Sequence, residues 1–318
     1  MIQKIAESQS YRLGLAQAAD SSGKRRVLDY VEPRQQRRFR MARQLAASPV
    51  MLCSVAFLLI VVAFAIAPGF FAPHDPEAQS LTRRLLPPLA NVGDTTYWLG
   101  TDSLGRDMLS RVIFGARISV IVALAGVVLS GAVGVVIGVV SGYYGGLIDD
   151  FFGWLVNVQL SFPFLLLAVA VAAVLGPGLR NIIIVLAVTT WVSYSRVMRG
   201  QVLTIRDSEY VQAARVIGAS DRRLLAKHVL PNTYIPLIVI VTFEVARLII
   251  AEASLSFLGL GTAGLASWGT LMADGRAHLA TSWWIATMPG IAIMITVLAI
   301  NLIGDWLRDV LDPRFQRR

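Results

Sequence analysis

The sequence predicts an all-α polytopic membrane protein with six transmembrane helices. Three observations carry this: an apolar composition, six long apolar runs, and a lopsided placement of basic residues. Of the 318 residues, 55% are hydrophobic and 15% charged, too apolar a balance for a soluble domain. A spanning helix needs about 20 mostly apolar residues. Six segments qualify, at 49–68, 118–142, 154–175, 181–198, 233–257 and 286–305. Lys and Arg exceed Asp and Glu by 29 to 20. That charge flanks the apolar runs and no recognition module accompanies it, so it sets topology and excludes nucleic acid as the expected partner.

Orientation follows from the same residues. With the N-terminus inside, segments 1–48, 196–232 and 306–318 hold ten, seven and four Lys or Arg, six lie in outer connections, and Arg117 and Arg247 fall in or at spans. Both termini are therefore expected in the cytoplasm. One connection runs against the bias: 143–153 has no Lys or Arg and carries Asp149 and Asp150. Trp283, Trp284 and Trp306 bracket the last run as interfacial anchors. The single cysteine, Cys53, excludes a disulfide framework, and three scattered histidines give no metal site.

Taken in order, residues 1–48 read as a cytoplasmic tail, whose length argues against a cleaved signal in the run that follows. Within it, 35–48 sets Phe39, Met41 and Leu45 among arginines, either as a helix in the inner interface or as a basic flank. The first span, 49–68, leads to an extracytoplasmic loop, 69–117. Prolines at 68, 73, 76, 87 and 88 forbid one long helix there. Near the end of the loop, Thr101 or Asp102 is placed to N-cap a short helix before the second span; the alternative role for this stretch is a contact surface for an external partner. A core of five helices fills 118–305, with a cytoplasmic loop at 199–232, and 306–318 is a second cytoplasmic tail.

Inside the core, the second span carries a small residue every fourth position: Gly126, Ser130, Gly134, Gly138 and Gly142. Such a stripe lets backbones approach closely, within one bundle or at a subunit interface. Pro163 and Pro236 imply local kinks. The fifth span contains Glu244, Arg247 and Glu252. A spacing of three puts Glu244 and Arg247 on one face, so these three residues are candidates for an intramembrane ion pair or for the lining of a translocation path.

No G-x-x-x-x-G-K-[ST] occurs; the only Gly-Lys, Gly23-Lys24, precedes arginine. With no P-loop, no H-E-x-x-H and no G-x-S-x-G, the chain is not expected to be an enzyme or to bind a nucleotide or other cofactor itself. The polar stretch "SEYVQAARVIGASDRRLLAKHVLPN", residues 208–232, then stands out. Asp207 or Ser208 can cap a helix, Gly218 can stop it, and Ser220 or Asp221 can start a second that Pro231 halts. Tyr210, Ala213, Ala214 and Ile217 are expected to share one face, with alanines that let a partner's surface come near the backbone.

In Gln212, Ala213, Ala214, Gly218, His228, Leu230 and Pro231 this stretch resembles the EAA loop of ABC importer permeases, with Gln in place of the first Glu and His228 where the pattern prefers Ile. "GTDSLGRDMLSRVIFGARISV", "GYYGGLIDD", "SFPFLLLA" and "EASLSFLGLG" narrow the resemblance to the C-type permeases of the dipeptide, oligopeptide and nickel branch, from about residue 36 onward. The resemblance implies a type I, MetI-like permease fold in a bacterial inner membrane. It implies a second permease subunit, two cytoplasmic ATPase subunits that bind the ATP and grip the 208–231 loop, and an extracytoplasmic substrate-binding protein. Peptides, glutathione or nickel chelates are the expected cargo. Two rivals are a secondary transporter or channel working without ATP, which should show a repeat symmetry the sequence lacks, and an intramembrane hydrolase. The latter would need more than Ser256 and His278, which a glycine-rich loop separates.

Overall fold

The computed structural model describes residues 48–262 and 264–311. The tail at 1–47, including its basic segment, and residues 312–318 lie outside the described residues. Helix α1 (Pro49–Ile66) begins where Ser48 Oγ accepts the Met51 N–H, with proline at the first helical position. After one short turn of helix, α2 (Pro68–Phe71), the chain enters the long loop. Two three-residue strands, β1 (Ala90–Val92) and β2 (Thr95–Tyr97), pair antiparallel there in the register Ala90↔Tyr97. The described fold is otherwise helical.

Helix α3 (Met108–Tyr144) starts ten residues before the expected second span. Its cap is Asp107, whose Oδ2 accepts the Ser110 N–H at 2.8 Å. Thr101 and Asp102, the expected caps, brace the loop instead. Thr101 Oγ1 accepts from Leu86 N and donates to Arg83 O, while Asp102 Oδ1 accepts the N–H groups of Leu104 and Arg106. At 37 residues, α3 is about 55 Å long, against an apolar bilayer thickness of about 30 Å. It is longer than one crossing needs, and each of its ends organises a separate polar assembly.

The small-residue stripe of α3 faces α6 (Leu179–Arg206) of the same chain. A side chain at Gly134, Gly138 or Gly142 would run into the carbonyls of Trp191, Ser195 and Arg199 respectively. Both rows advance by four, so the helices interlock residue for residue. The stripe serves packing within the bundle.

The third expected span does not cross as one rod. Helices α4 (Gly146–Leu160) and α5 (Phe164–Leu175) meet at 91°. Pro163 has no N–H and disfavours helix at the preceding residue, and the Ser161 and Phe162 amides fold back onto carbonyls of α4. Twelve residues of α5 rise only about 18 Å. Among the described residues, five helices are thus long and apolar enough to cross alone, and the bent pair supplies a sixth when it counts as one span.

After α6 come the two short helices α7 (Glu209–Val216) and α8 (Asp221–Leu224), then α9 (Leu230–Phe257), α10 (Trp268–Gly275) and α11 (Trp284–Leu311). Pro231 does not halt the chain, contrary to the sequence reading. A π-turn, Leu225–Val229, joins α8 to α9, and the Leu230 N–H reaches back five residues to Leu225 O. The wider turn places proline in the first turn of α9, where a missing N–H costs little. Helix α11 runs on to Leu311, through the start of the expected C-terminal tail.

Candidate functional site

The 207–232 loop sits at the Tyr144 end of α3. Helix α7 ends in a Schellman motif: Ala219 N–H bonds Ala214 O and Gly218 N–H bonds Arg215 O, with Gly218 at φ +90°. Val211 is fully buried with Leu224 and Val229 in a small core against Met198 and Val202 of α6. Ala214 is half-buried on this same core. Gln212 and Ala213 face outward, and Val216 and Ile217 are each 87% exposed. The face expected to contain Tyr210, Ala213, Ala214 and Ile217 is therefore divided. Because Val211 is claimed by the core, Ala214, three residues on, turns inward with it, while the other three point out.

The second half of the motif closes the loop. His228 is half-buried, its ring 6.2 Å from Tyr210. Asn232 Nδ2 donates to His228 O at 2.6 Å and to the Tyr210 hydroxyl at 3.3 Å. Leu230 and Pro231 are exposed at the head of α9.

A clasp that the sequence reading did not assemble holds this loop to α3. The Tyr143 hydroxyl donates to Asp221 at 2.7 Å. Arg206 Nη1 donates to the carbonyls of Gly142 and Tyr143 at 3.1 and 3.2 Å, where the end of α3 leaves acceptors free. Asp149 takes two bonds of 2.5 Å from Arg199 and a third from Ser141 Oγ. The signal lay in "GYYGGLIDD" and in the charge anomaly of 143–153. Asp149 lies in the first turn of α4, where it neutralises Arg199 of α6.

The three charges of α9 separate. Arg247 Nη1 donates to Glu244 at 3.1 Å and to Ser193 Oγ at 2.9 Å, with its guanidinium 5.1 Å over the Phe164 ring. Arg247 also lines a groove of about 410 Å³ between α5, α9 and α11. Glu252 has no basic partner among its bonds. Fully buried, it accepts hydroxyls from Ser119 (3.1 Å), Ser256 (2.7 Å) and Ser267 (2.7 Å), which tie α3, α9 and the head of α10 together. Glu244 and Arg247 thus form the pair the spacing indicates, and Glu252 belongs to a separate, closed cluster. Among the described residues no group of three or more His, Cys, Asp or Glu could hold a metal ion.

Residues 134–317, which contain the loop and all three intramembrane charges, match the family described as binding-protein-dependent transport system inner membrane component. The chain belongs to that family. Residues 38–88 also match the N-terminal transmembrane domain of oligopeptide transport permease C. A putative peptide transport system permease of Brucella suis is 42% identical over 276 residues, 86% of this chain and 91% of its own length. A probable D,D-dipeptide transport system permease of Escherichia coli is 39% identical over 288 residues, 89% of this chain and 95% of its own. An inward-facing MetNI methionine ABC transporter structure superposes with a TM-score of 0.55 over 64% of this chain and 98% of the matched one, at 20% identity. That likeness shows a shared fold, the MetI-like permease fold expected from the sequence. This permease family is that of ABC importers, and its membership decides against a secondary transporter or channel.

Proposed function

We propose that this chain is one of two permease subunits of an ATP-driven importer of short peptides or closely related solutes such as glutathione or nickel chelates. Two cytoplasmic ATPase subunits bind the ATP and grip the 208–231 loop, and a binding protein delivers cargo to the opposite face. The observation that carries this is the loop itself: a base clasped to α3 and presenting Ala213, Val216 and Ile217 outward, in a chain without a P-loop. An exposed apolar ridge on a fixed support is what a groove in a partner can hold. The names of the relatives support the peptide cargo, and the basic residues in 1–48, 196–232 and 306–318 support cytoplasmic termini in an inner membrane. Two measurements test the reading. In proteoliposomes holding all partners, labelled dipeptide should enter only with ATP and binding protein; uptake driven by an ion gradient alone would overturn it. In a Cys53→Ala background, cysteine at Ser80 should label from outside and at Ser220 only after permeabilisation. The reverse pattern would put the loop on the wrong face for an ATPase.

A further inference from the structure

At the Met108 end of α3, opposite the 207–232 loop, lies a cleft of about 530 Å³ lined by Glu77, Arg106, Arg111 and Asp274, with glycines 259, 261 and 264 in its wall. Its size is that of a small-molecule site. The charges are arranged in two tiers. In the recess, Arg106 Nε and Arg111 Nη1 both bond Asp102 Oδ2 at 2.7 Å, and these three side chains are 12%, 5% and 2% exposed. At the rim, Asp274 is 46% exposed and lies 3.4 Å from Arg111 and 3.9 Å from Arg106, and Glu77 is 61% exposed and lies 3.4 Å from Arg106. A charge-assisted N–H···O bond is at its best near 2.7–2.9 Å, so the rim acids are loosely held while Asp102 is firmly held. The fixed recess therefore carries two cations against one anion, and the Arg111 Nε–H is buried without a partner. Cationic recess and loosely held, exposed anionic rim together are complementary to a molecule that bears one carboxylate and one ammonium.

We propose that this cleft receives the charged ends of a short zwitterionic peptide, the carboxylate entering the Arg106–Arg111 recess and the ammonium pairing with Asp274 and Glu77 at the rim. The proposal rests on the peptide-import reading. A binding protein docking on the same surface is the competing occupant, but a recess whose arginines are 5% and 12% exposed admits a small molecule more readily than a folded surface.

The test uses the whole importer complex in lipid nanodiscs without binding protein, with radiolabelled L-alanyl-L-alanine as probe and its N-acetylated and C-amidated forms as competitors. Saturable binding is expected, and each blocked form, having lost one charge, should compete about tenfold less well, or about 1.4 kcal/mol. Asp274→Asn and Glu77→Gln should abolish the preference for the free amine and keep that for the free carboxylate. Arg106→Gln should do the converse. Glu77 is mostly exposed, so its variant keeps the test independent of folding. Absence of saturable binding overturns the site, as does an unchanged preference in the rim variants. Rim variants that weaken capture of the binding protein but leave dipeptide binding intact would make this a protein-docking face, which also overturns it. Import of the same dipeptide by the wild-type complex is measured in parallel. Normal import with no binding sinks the site alone, whereas failure to import any peptide sinks the peptide reading with it.

Discussion

The hydroxyl of Tyr143, one residue from the end of α3, donates a 2.7 Å hydrogen bond to Asp221, the first residue of α8. Arg215 of α7 lies 5.9 Å over the same ring. The 37-residue helix α3 thus holds both loop helices through one side chain. We predict that Tyr143→Phe, which keeps the ring and removes the bond, leaves the protein inserted and folded but loosens the loop by about 1 kcal/mol, because Asp221 is exposed. ATP-driven import should fall roughly fivefold. Wild-type import by Tyr143→Phe would show that the bond transmits nothing.

The interlocked stripe makes a second prediction. A methyl group at Gly138 would meet the Met198 Cβ at 2.8 Å and the Arg199 amide nitrogen at 3.1 Å, besides running into the Ser195 carbonyl, and two of those three atoms are backbone. Gly138→Ala should therefore force α3 and α6 apart and lower stability by about 1–3 kcal/mol. At Gly200, on the same α6, an added methyl meets nothing within 4 Å, and Gly200→Ala should be neutral or slightly stabilising. Thermal unfolding of the two purified variants decides this; equal melting temperatures would contradict the close approach.

Much of this fold was legible because membrane crossing imposes a length and a composition that composition alone reveals. The Gly-Ser stripe announced close packing, and the i, i+3 spacing announced the Glu244–Arg247 pair. What was not legible depended on side chains far apart in sequence. Glu252 looked like a third member of a charged path until Ser119, 133 residues away, and Ser267 proved to satisfy it. Asp107 rather than Asp102 caps α3 because Asp102 is taken by Arg111 and the loop, a competition no local pattern records. Pro163 suggested a kink, but not one of 91°. The orientation of α7 turned on which of its residues reached the core made by Leu224 and Val229 of the next segment.

The Glu244–Arg247 pair should respond asymmetrically. Glu244 is 7% exposed and Arg247 42%. Arg247→Gln strands a buried carboxylate, whereas Glu244→Gln leaves a half-exposed guanidinium still bonded to Ser193 and stacked on Phe164. The first change should therefore cost more, toward the roughly 2.5–3.5 kcal/mol that a lone charge costs within a membrane, and the second less. The double variant should recover part of the larger loss, a coupling of about 0.5–3 kcal/mol. Yields and melting temperatures of the four proteins measure the cycle. Additive losses would mean that the two side chains do not act as a pair.

The outward ridge of α7 gives the sharpest test of coupling, because neighbouring alanines are predicted to fail differently. Ala213 is exposed and Ala214 is half-buried on the Val211–Leu224 core. Arg at 213 leaves that core intact and projects a charged side chain where a partner's groove must close, at a cost of several kcal/mol for an unpaired buried charge. Ile217→Asp does the same from a position that, with Val216, is 87% exposed. Both variants should insert and melt like wild type, yet hold the ATPase subunits about a hundredfold or more weakly. Loaded binding protein should lose its effect on ATP hydrolysis in step, since an ATPase no longer held by the permease cannot respond to what binds on the other side. Ala214→Arg, by contrast, must first displace its own core, so its melting temperature should fall together with ATPase retention. Co-purification from membranes, with melting curves of each permease, separates the cases. Full ATPase retention by both Ala213→Arg and Ile217→Asp would mean that this ridge is not what the ATPases grip. Loss of retention accompanied by unfolding in all three would mean that the loop is structural and its outward face carries no contact of its own.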